Sequence, residues 1–232
     1  MSRQQITVEK LANFYMDAKL FVVAAGYSSE IDWQEQQEIA NIDESDFLRE
    51  AAWVILSSGM REAIIRQRFG GISEAFFEWE SAAKIVKLKE RCIGQAFLFF
   101  KHLPKLRAIV SVAKHIFENG FSKVLDGVKN DGIEYIMRLP YMGPATSCHF
   151  AKNLGLPLAK PDRHLIRIAE KTGYSSPQEL CLAIAEQTGH KISVVDLVFW
   201  RFATLVPDYL NYLCVDPAEP ERKNSMTSSC HC

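Results

Sequence analysis

Apolar residues recur at helical spacing along most of the chain, with polar residues between them. No stretch shows the sustained alternation of apolar and polar positions that is typical of a half-buried strand. The predicted helices cover residues 7–25, 47–56, 62–69, 73–79, 82–88, 92–100, 105–118, 133–137, 145–155, 177–189 and 194–205, with a further helix opening at Pro161. The pattern therefore predicts an all-α protein.

Several of these boundaries rest on single residues. Asp46 is the predicted N-cap of the helix over 47–56, because its short carboxylate can accept a bond from a free N–H group at the start of a helix. Gly70 and Gly71 are predicted to end the helix over 62–69, and Ser73 to cap the next one. Residues 26–38 are polar and are interpreted as a linker.

Residues 138–167, RLPYMGPATSCHFAKNLGLPLAKPDRHLIR, combine two prolines and a glycine between helical segments. Gly143 can take a positive φ, while Pro140 and Pro144 limit where helix can continue. The first N–H groups of the helix that includes Thr146 lack intrahelical partners, and the helix dipole adds partial positive charge there. The segment is therefore predicted to form a sharp hairpin whose second helix can bind a phosphate group.

Charge is distributed unevenly, although the formal net charge of the chain is only −1. Residues 1–50 hold 4 basic and 10 acidic residues, a net of −6, whereas residues 138–171 hold 6 basic and 2 acidic residues, a net of +4. A basic face around the hairpin favours a polyanionic partner. For any single lysine in this stretch, an ordinary solvated position is the simpler interpretation.

The two motifs in this stretch resemble those of a known family. LPYMGPAT is similar to the hairpin L-P-G-V-G-x-K-T of the helix–hairpin–helix DNA glycosylases, the superfamily of endonuclease III. PDRHLIR is similar to V-D-x-H-x-x-R, which carries the catalytic aspartate of that superfamily. The resemblance implies two helical lobes that meet at a cleft. Residues 45–155 would form the central lobe, and residues 1–44 and 156–214 the second lobe. The polar composition after Val215 separately predicts a flexible tail over residues 215–232.

The resemblance implies that Asp162 is the catalytic carboxylate. Breaking an N-glycosidic bond builds positive charge on the deoxyribose, which a nearby carboxylate stabilises, or the carboxylate deprotonates the attacking water. The alternative is that Asp162 only caps the helix that follows it. Strand-cleaving members of the superfamily carry a hairpin lysine where this chain has Ala145, and alanine cannot be a nucleophile. The chain therefore resembles the monofunctional branch, which leaves an abasic site.

The resemblance also implies contacts with duplex DNA. The residues implied in the hairpin and after it are Tyr141, Met142, Gly143, Ala145, Thr146, Arg163 and His164. Met60 or Arg61 would fill the gap left by a flipped base, which costs a few kcal/mol to extrude. Alternatively, residues 57–59 only link two helices, and His164 belongs to the core. The resemblance further implies a monovalent cation held by the backbone carbonyls of Met137, Leu139 and Met142.

The base pocket is predicted near Tyr27, Asp32 and Trp33, in the polar segment that would border the cleft. Acidic groups there could accept hydrogen bonds from an exocyclic amine or from the hydroxyls of a bulky modified base. The identity of the base stays open among alkylated purines, oxidised guanine and hypermodified cytosines.

The cysteines do not fit a disulfide framework or an iron–sulfur site. Cys92, Cys148 and Cys181 lie in apolar helical patterns and are expected to be buried free thiols. The spacing of Cys214, Cys230 and Cys232 does not match a four-cysteine cluster loop, so no cofactor is expected. With neither a membrane span nor a signal peptide predicted, we expect a cytoplasmic monomer that associates with the nucleoid when it acts.

Two other classes of function remain open at this point. A non-catalytic helix–hairpin–helix protein would keep the DNA-binding hairpin without the enzyme. A helical protein-interaction domain would bind DNA weakly and without the steep salt dependence that phosphate contacts confer.

Overall fold

The structure is a computed structural model that describes residues 6–214. It is 78% helical, and no strand occurs within the described range, which confirms the all-α prediction. The helices are α1 Val8–Val22, α2 Ser28–Gln36, α3 Glu44–Ser57, α4 Glu62–Ala75, α5 Ala82–Lys87, α6 Lys89–Phe99, α7 Leu103–Asn119, α8 Phe121–Asp131, α9 Ile133–Ile136, α10 Pro144–Asn153, α11 Arg163–Thr172, α12 Pro177–Thr188 and α13 Ile192–Leu205. None of the helices in residues 6–214 is long and apolar enough to cross a bilayer.

The buried apolar residues form two clusters. Core A draws on positions 42–154 and packs α3 against α7 and α10, where the rings of Phe47 and Phe150 meet edge to face at 4.9 Å. Core B consists of residues from positions 11–31 and 159–213 and packs α1 and α12 around α13. There the ring centroids of Phe199 and Tyr15 lie 5.7 Å apart. The second core therefore joins the two ends of the described chain.

Polar contacts link the helices of the two cores. The side-chain amide of Gln34 on α2 donates to the backbone carbonyl of Lys152 on α10 at 3.1 Å. Glu30, one turn earlier on α2, accepts from Arg66 on α4 at 2.9 Å. Because residues four apart lie on the same helix face, one face of α2 contacts two separate helices of core A.

The predicted helix end at Gly70 and Gly71 is wrong, because α4 continues to Ala75. A Cβ on Gly71 would lie 2.5 Å from the ring of Phe99, so this glycine permits close packing against α6 rather than a break. Ser73 is inside α4 and caps nothing. Its hydroxyl accepts from the indole N–H of Trp79 at 3.0 Å.

Three other local predictions need correction. Residues 28–36 form helix α2 instead of a linker, because Ile31 and Gln34 are buried against the rest of the protein. Helix α3 begins at Glu44 rather than after Asp46, since the carboxylate of Asp43 accepts from the backbone N–H of Asp46 at 2.7 Å. Helix α8, Phe121–Asp131, had no counterpart among the predicted elements.

Candidate functional site

Two buried side chains anchor the turn between α9 and α10 in core A. Leu139 and Met142 are 3% and 4% exposed and belong to core A, and the N–H of Met142 donates to the carbonyl of Leu139 at 3.2 Å. Tyr141, between them, is 42% exposed. The side chain of Met142 is therefore unavailable to a ligand, and only its backbone can contribute to the predicted DNA surface.

The left-handed residue of this turn is Tyr141, with φ at 68°. The expectation that Gly143 would take a positive φ is wrong, since its φ is −79° and its ψ 177°. A left-handed conformation costs a residue with a Cβ about 1–2 kcal/mol. Tyr141 therefore takes a backbone conformation that ordinarily favours glycine.

The N-terminus of α10 is open. Its N-cap, Gly143, offers no side-chain bond, and Pro144 has no N–H. The first helical bond runs from the N–H of Ser147 to the carbonyl of Gly143 at 2.8 Å, which leaves the N–H groups of Ala145 and Thr146 without a helical partner. A Cβ on Gly143 would meet nothing within 4 Å. The fold therefore leaves space here for an anion to approach.

Asp162 is the N-cap of α11, as its alternative interpretation predicted. Its Oδ1 accepts from the backbone N–H of His164 at 2.8 Å and of Leu165 at 2.9 Å. Its Oδ2 takes part in no hydrogen bond with any residue in 6–214, and the side chain is partly exposed. One oxygen thus fixes the orientation of the carboxylate while the other remains free for chemistry.

Side chains of α12 and α13 hold the loop that precedes Asp162, residues 157–160. Gln178 accepts from the N–H of Ala159 at 2.8 Å and donates to the carbonyl of Pro157 at 3.2 Å. Asp196 accepts from the N–H of Lys160 at 2.6 Å. These contacts hold the backbone on the approach to Asp162.

Asp196 also forms a buried ion pair with Lys152 of α10. The two side chains are 2% and 7% exposed, and the ammonium donates to Oδ1 of the carboxylate. Burial raises the pKa of Asp196, while Lys152 acts in the opposite direction. Lys152 is therefore not part of a basic surface, which corrects the interpretation of the charge around the hairpin.

His149 and Lys160 extend this polar region towards Asp162. The ammonium of Lys160 lies 3.4 Å from Nδ1 of His149. Burial and the positive charges of Lys160 and Lys152 lower the pKa of His149 well below its usual value, so that the ring is neutral at pH 7 and can accept from Lys160. Sequence reasoning missed His149, because its contact with Lys160 brings together two segments that are eleven positions apart.

His164 is held by its neighbours. Its Nδ1 lies 3.2 Å from the hydroxyl of Tyr209, and its Nε2 accepts from the guanidinium of Arg163 at 3.3 Å. Burial lowers the pKa of His164, against the opposing effect of Asp162. The ring is partly buried and packs on Tyr209, whereas Arg163 is exposed.

The segment after α3, predicted to fill the gap of a flipped base, lies at the surface. Gly59 has a φ of 68°, Met60 is 38% exposed and Arg61 is exposed. Lys105 of α7, which the sequence analysis did not single out, donates to the carbonyls of Leu56 at 2.8 Å and of Ser58. A buried cation thus caps the C-terminus of α3 just before Met60.

A cleft of about 530 Å³ lies between α2, α4 and α13. Its polar lining is Ser29, Glu30, Glu62, Arg66, Gln67 and Arg201. Glu30 accepts from Nε of Arg201 at 3.1 Å and from Arg66 at 2.9 Å, and the Arg201 guanidinium lies 4.2 Å from the ring centroid of Tyr27. Of the predicted base-pocket residues, Tyr27 lines this cleft, while Asp32 and Trp33 are not among its lining residues.

The remaining site predictions concern metals and thiols. One of the three carbonyls predicted to hold a cation, that of Leu139, already accepts from Met142. Residues 6–214 contain no cluster of three or more His, Cys, Asp or Glu side chains suited to a metal ion. Cys92 and Cys181 are buried free thiols as predicted, whereas Cys148 is partly exposed. Cys230 and Cys232, and the predicted tail 215–232, lie outside the described residues.

Comparison with models of known protein families and with curated proteins finds no match for this chain.

Proposed function

We propose that the protein is a monofunctional DNA N-glycosylase, which flips a damaged or modified base from duplex DNA and hydrolyses its N-glycosidic bond. The observation that carries this proposal is the orientation and exposure of the Asp162 carboxylate. Its carboxylate is oriented by two backbone N–H groups, keeps one oxygen free and is partly exposed. It also follows directly on the turn and helix whose sequence resembles the glycosylase hairpin.

In this proposal, α9, α10 and the turn between them are the helix–hairpin–helix motif. The open N-terminus of α10 and exposed Arg163 contact DNA phosphates, with backbone N–H groups as donors and the guanidinium as counter-charge. Core A and core B are the two lobes, and the cleft between α2, α4 and α13 is the groove between them. Met60 or Arg61 fills the gap in the duplex.

The chemistry requires one carboxylate close to the sugar. As the glycosidic bond breaks, positive charge develops on the deoxyribose, and the free oxygen of Asp162 stabilises it or takes a proton from the attacking water. No lyase step through the hairpin follows, because Ala145 has no nucleophilic atom. Lys152 cannot replace it, since its ammonium is buried against Asp196.

A second candidate is a DNA-binding protein without catalysis. The observation that favours it is the capping geometry of Asp162, which by itself explains an aspartate at this position. In both proposals the partner is double-stranded DNA, and we propose a monomer that acts in the cytoplasm on the nucleoid.

Asp162→Asn separates the two proposals. Asparagine keeps an oxygen that caps α11, so the fold and the affinity for DNA should be retained. If Asp162 is catalytic, base release should fall by about 100-fold to 10,000-fold, because the carboxylate charge is lost. The assay incubates duplexes and genomic DNAs of differing base modification with the protein and identifies released bases by mass spectrometry.

A matched control is Asp43→Asn, which removes the charge of the N-cap of α3 and keeps the cap. Equal base release by wild type and Asp162→Asn, or release from none of the DNAs despite tight binding, would favour the non-catalytic protein.

A further inference from the structure

The charged groups of the cleft leave one donor and one acceptor facing each other without a bond. Nη1 of Arg201 lies 3.9 Å from Oε2 of Glu62, which is too long for a hydrogen bond. Within residues 6–214 neither atom has another polar partner, because Arg201 uses Nε and Nη2 for Glu30 and Glu62 uses Oε1 for Arg66. A hydroxyl oxygen beside this pair, at hydrogen-bond distance from both atoms, could accept from Arg201 and donate to Glu62.

The chemistry of this lining discriminates between classes of base. Two guanidinium groups and two carboxylates lose water when a ligand fills the cleft, and this loss is unfavourable unless the ligand replaces the hydrogen bonds. The alkyl group of an alkylated purine adds apolar surface and replaces none of these hydrogen bonds. In a substituent with several hydroxyls, each hydroxyl can replace a water molecule that was bound to one of these charged groups.

The size of the cleft also favours a base that carries a substituent. At about 530 Å³ it falls in the range of sites that hold drug-sized ligands, which are larger than a single nucleobase. The cleft therefore has room for a base together with a substituent.

A chain of contacts connects the cleft to both elements of the proposed mechanism. Glu30 lines the cleft, and Gln34, four residues or about 6 Å further along α2, binds the carbonyl of Lys152, the partner of Asp196. Asp196 in turn holds the backbone at Lys160, two residues before Asp162. On the other side, Glu62 directly follows Met60 and Arg61.

We propose that this cleft is the base pocket of the glycosylase and that it selects a base bearing a hydroxyl-rich substituent, such as a sugar on a 5-hydroxymethylpyrimidine. This inference rests on the proposed function and deepens it. The hydroxyls of the substituent form hydrogen bonds with Nη1 of Arg201 and Oε2 of Glu62, while the base lies against Tyr27.

The test measures binding, so that it does not depend on turnover. Fluorescence anisotropy compares the affinity of Asp162→Asn for four duplexes, which carry cytosine, 5-hydroxymethylcytosine, glucosylated 5-hydroxymethylcytosine or 7-methylguanine at one position. The glucosylated duplex should bind at least about tenfold more tightly than the other three, a difference of about 1.4 kcal/mol.

Two further substitutions, each made in Asp162→Asn, locate the preference. Glu62→Ala removes the acceptor, and Ala63→Phe fills the cleft from an exposed position on α4. Each should abolish the preference for the glucosylated duplex over the cytosine duplex. Glu74→Ala, exposed on the same helix, should leave this preference unchanged. Thermal melting checks that each variant is folded.

Equal affinity for the four duplexes, tighter binding of the 7-methylguanine duplex, or a preference that survives both Glu62→Ala and Ala63→Phe would overturn the proposal. Failure of the proposed function gives a different result. In that case the wild type releases no base from any duplex, or Asp162→Asn releases bases as fast as the wild type, whatever the binding preference.

Discussion

The region around Asp162 and the cleft between α2, α4 and α13 differ in how their residues are distributed along the chain. The loop and its hairpin lie within residues 138–167, whereas the cleft combines residues 26–30, residues 62–67 and Arg201. An ion pair supports each region. Lys152 of the first region pairs with Asp196 of α13, and these side chains are 7% and 2% exposed, whereas in the cleft Arg201 and Glu30 are 8% and 20% exposed and Arg66 is 57% exposed. A contiguous site can be recognised from sequence, and a site assembled from distant helices cannot.

The difference in burial predicts a difference in energy. An isolated buried charge has neither water nor a counter-charge, so breaking a buried pair is far more costly than breaking a pair that water can reach. Lys152→Met and Arg201→Met test this contrast directly.

The largest effect is expected for Lys152→Met. It leaves the carboxylate of Asp196 buried without its cation, and the free energy of unfolding should fall by about 3–5 kcal/mol. Urea unfolding at pH 7 measures this change. Lys171→Met, at an exposed position of α11, should change the stability by less than about 0.5 kcal/mol. A loss below about 1 kcal/mol for Lys152→Met would mean that the pair is effectively solvated.

Lys105 should show the next largest effect, as a function of pH. Burial lowers its pKa from 10.5 to about 8. Between these values the unfolded chain binds more protons than the native protein, so the free energy of unfolding should rise as pH increases through this range. The gain amounts to at most about 3 kcal/mol.

The measurement is the stability of the wild type minus that of Lys105→Met at pH 7, 8, 9 and 10, since groups common to both proteins cancel in the difference. The difference should increase with pH. A constant or falling difference would show that the carbonyls of Leu56 and Ser58 keep Lys105 protonated in the native protein.

A smaller loss is expected when the ion pair of the cleft is broken. Arg201→Met removes the bidentate partner of Glu30, but Arg66 and water still solvate the carboxylate. We expect a loss of about 1–2 kcal/mol in urea unfolding, clearly less than for Lys152→Met. If the two losses are equal, the contrast in burial between the two regions does not control their energetics.

The smallest effect is expected at Tyr141. Tyr141→Gly and Tyr141→Ala both remove the exposed ring, but only glycine takes a φ of 68° without a steric penalty. The glycine variant should therefore be more stable than the alanine variant by about 1 kcal/mol, as measured by thermal melting. The same comparison at Pro157, an exposed loop position without a positive φ, should not favour glycine.

The sequence was informative where a structure depends on a few neighbouring residues. The predicted helices over 105–118 and 177–189 end within one residue of the ends of α7 and α12, which are followed by Gly120 and Gly189. Ser176 caps α12 by accepting from the N–H of Glu179 at 3.2 Å. It failed where distant packing overrides a local signal. Gly71 signals a break, yet α4 continues because the ring of Phe99 covers it.

The candidate site follows the same division. Asp162 and the hairpin could be identified because prolines, glycine and an N-cap act within a few residues of one another. His149, Asp196 and Lys105 could not, because each acts on a backbone or side chain from another part of the chain. The cleft is lined by Tyr27, which the sequence analysis singled out, and by Arg201, which lies 174 positions later and was not singled out.

The sequence by itself determined an all-helical chain, the turn before α10 and the capping role of Asp162, since helical periodicity and caps are local. Only the tertiary structure decided that Lys152 faces Asp196 instead of solvent and that Glu30, Arg66 and Arg201 share one cleft. The physical reason is that periodicity shows which side chains share a helix face, whereas the helix that covers this face is chosen by packing between distant segments.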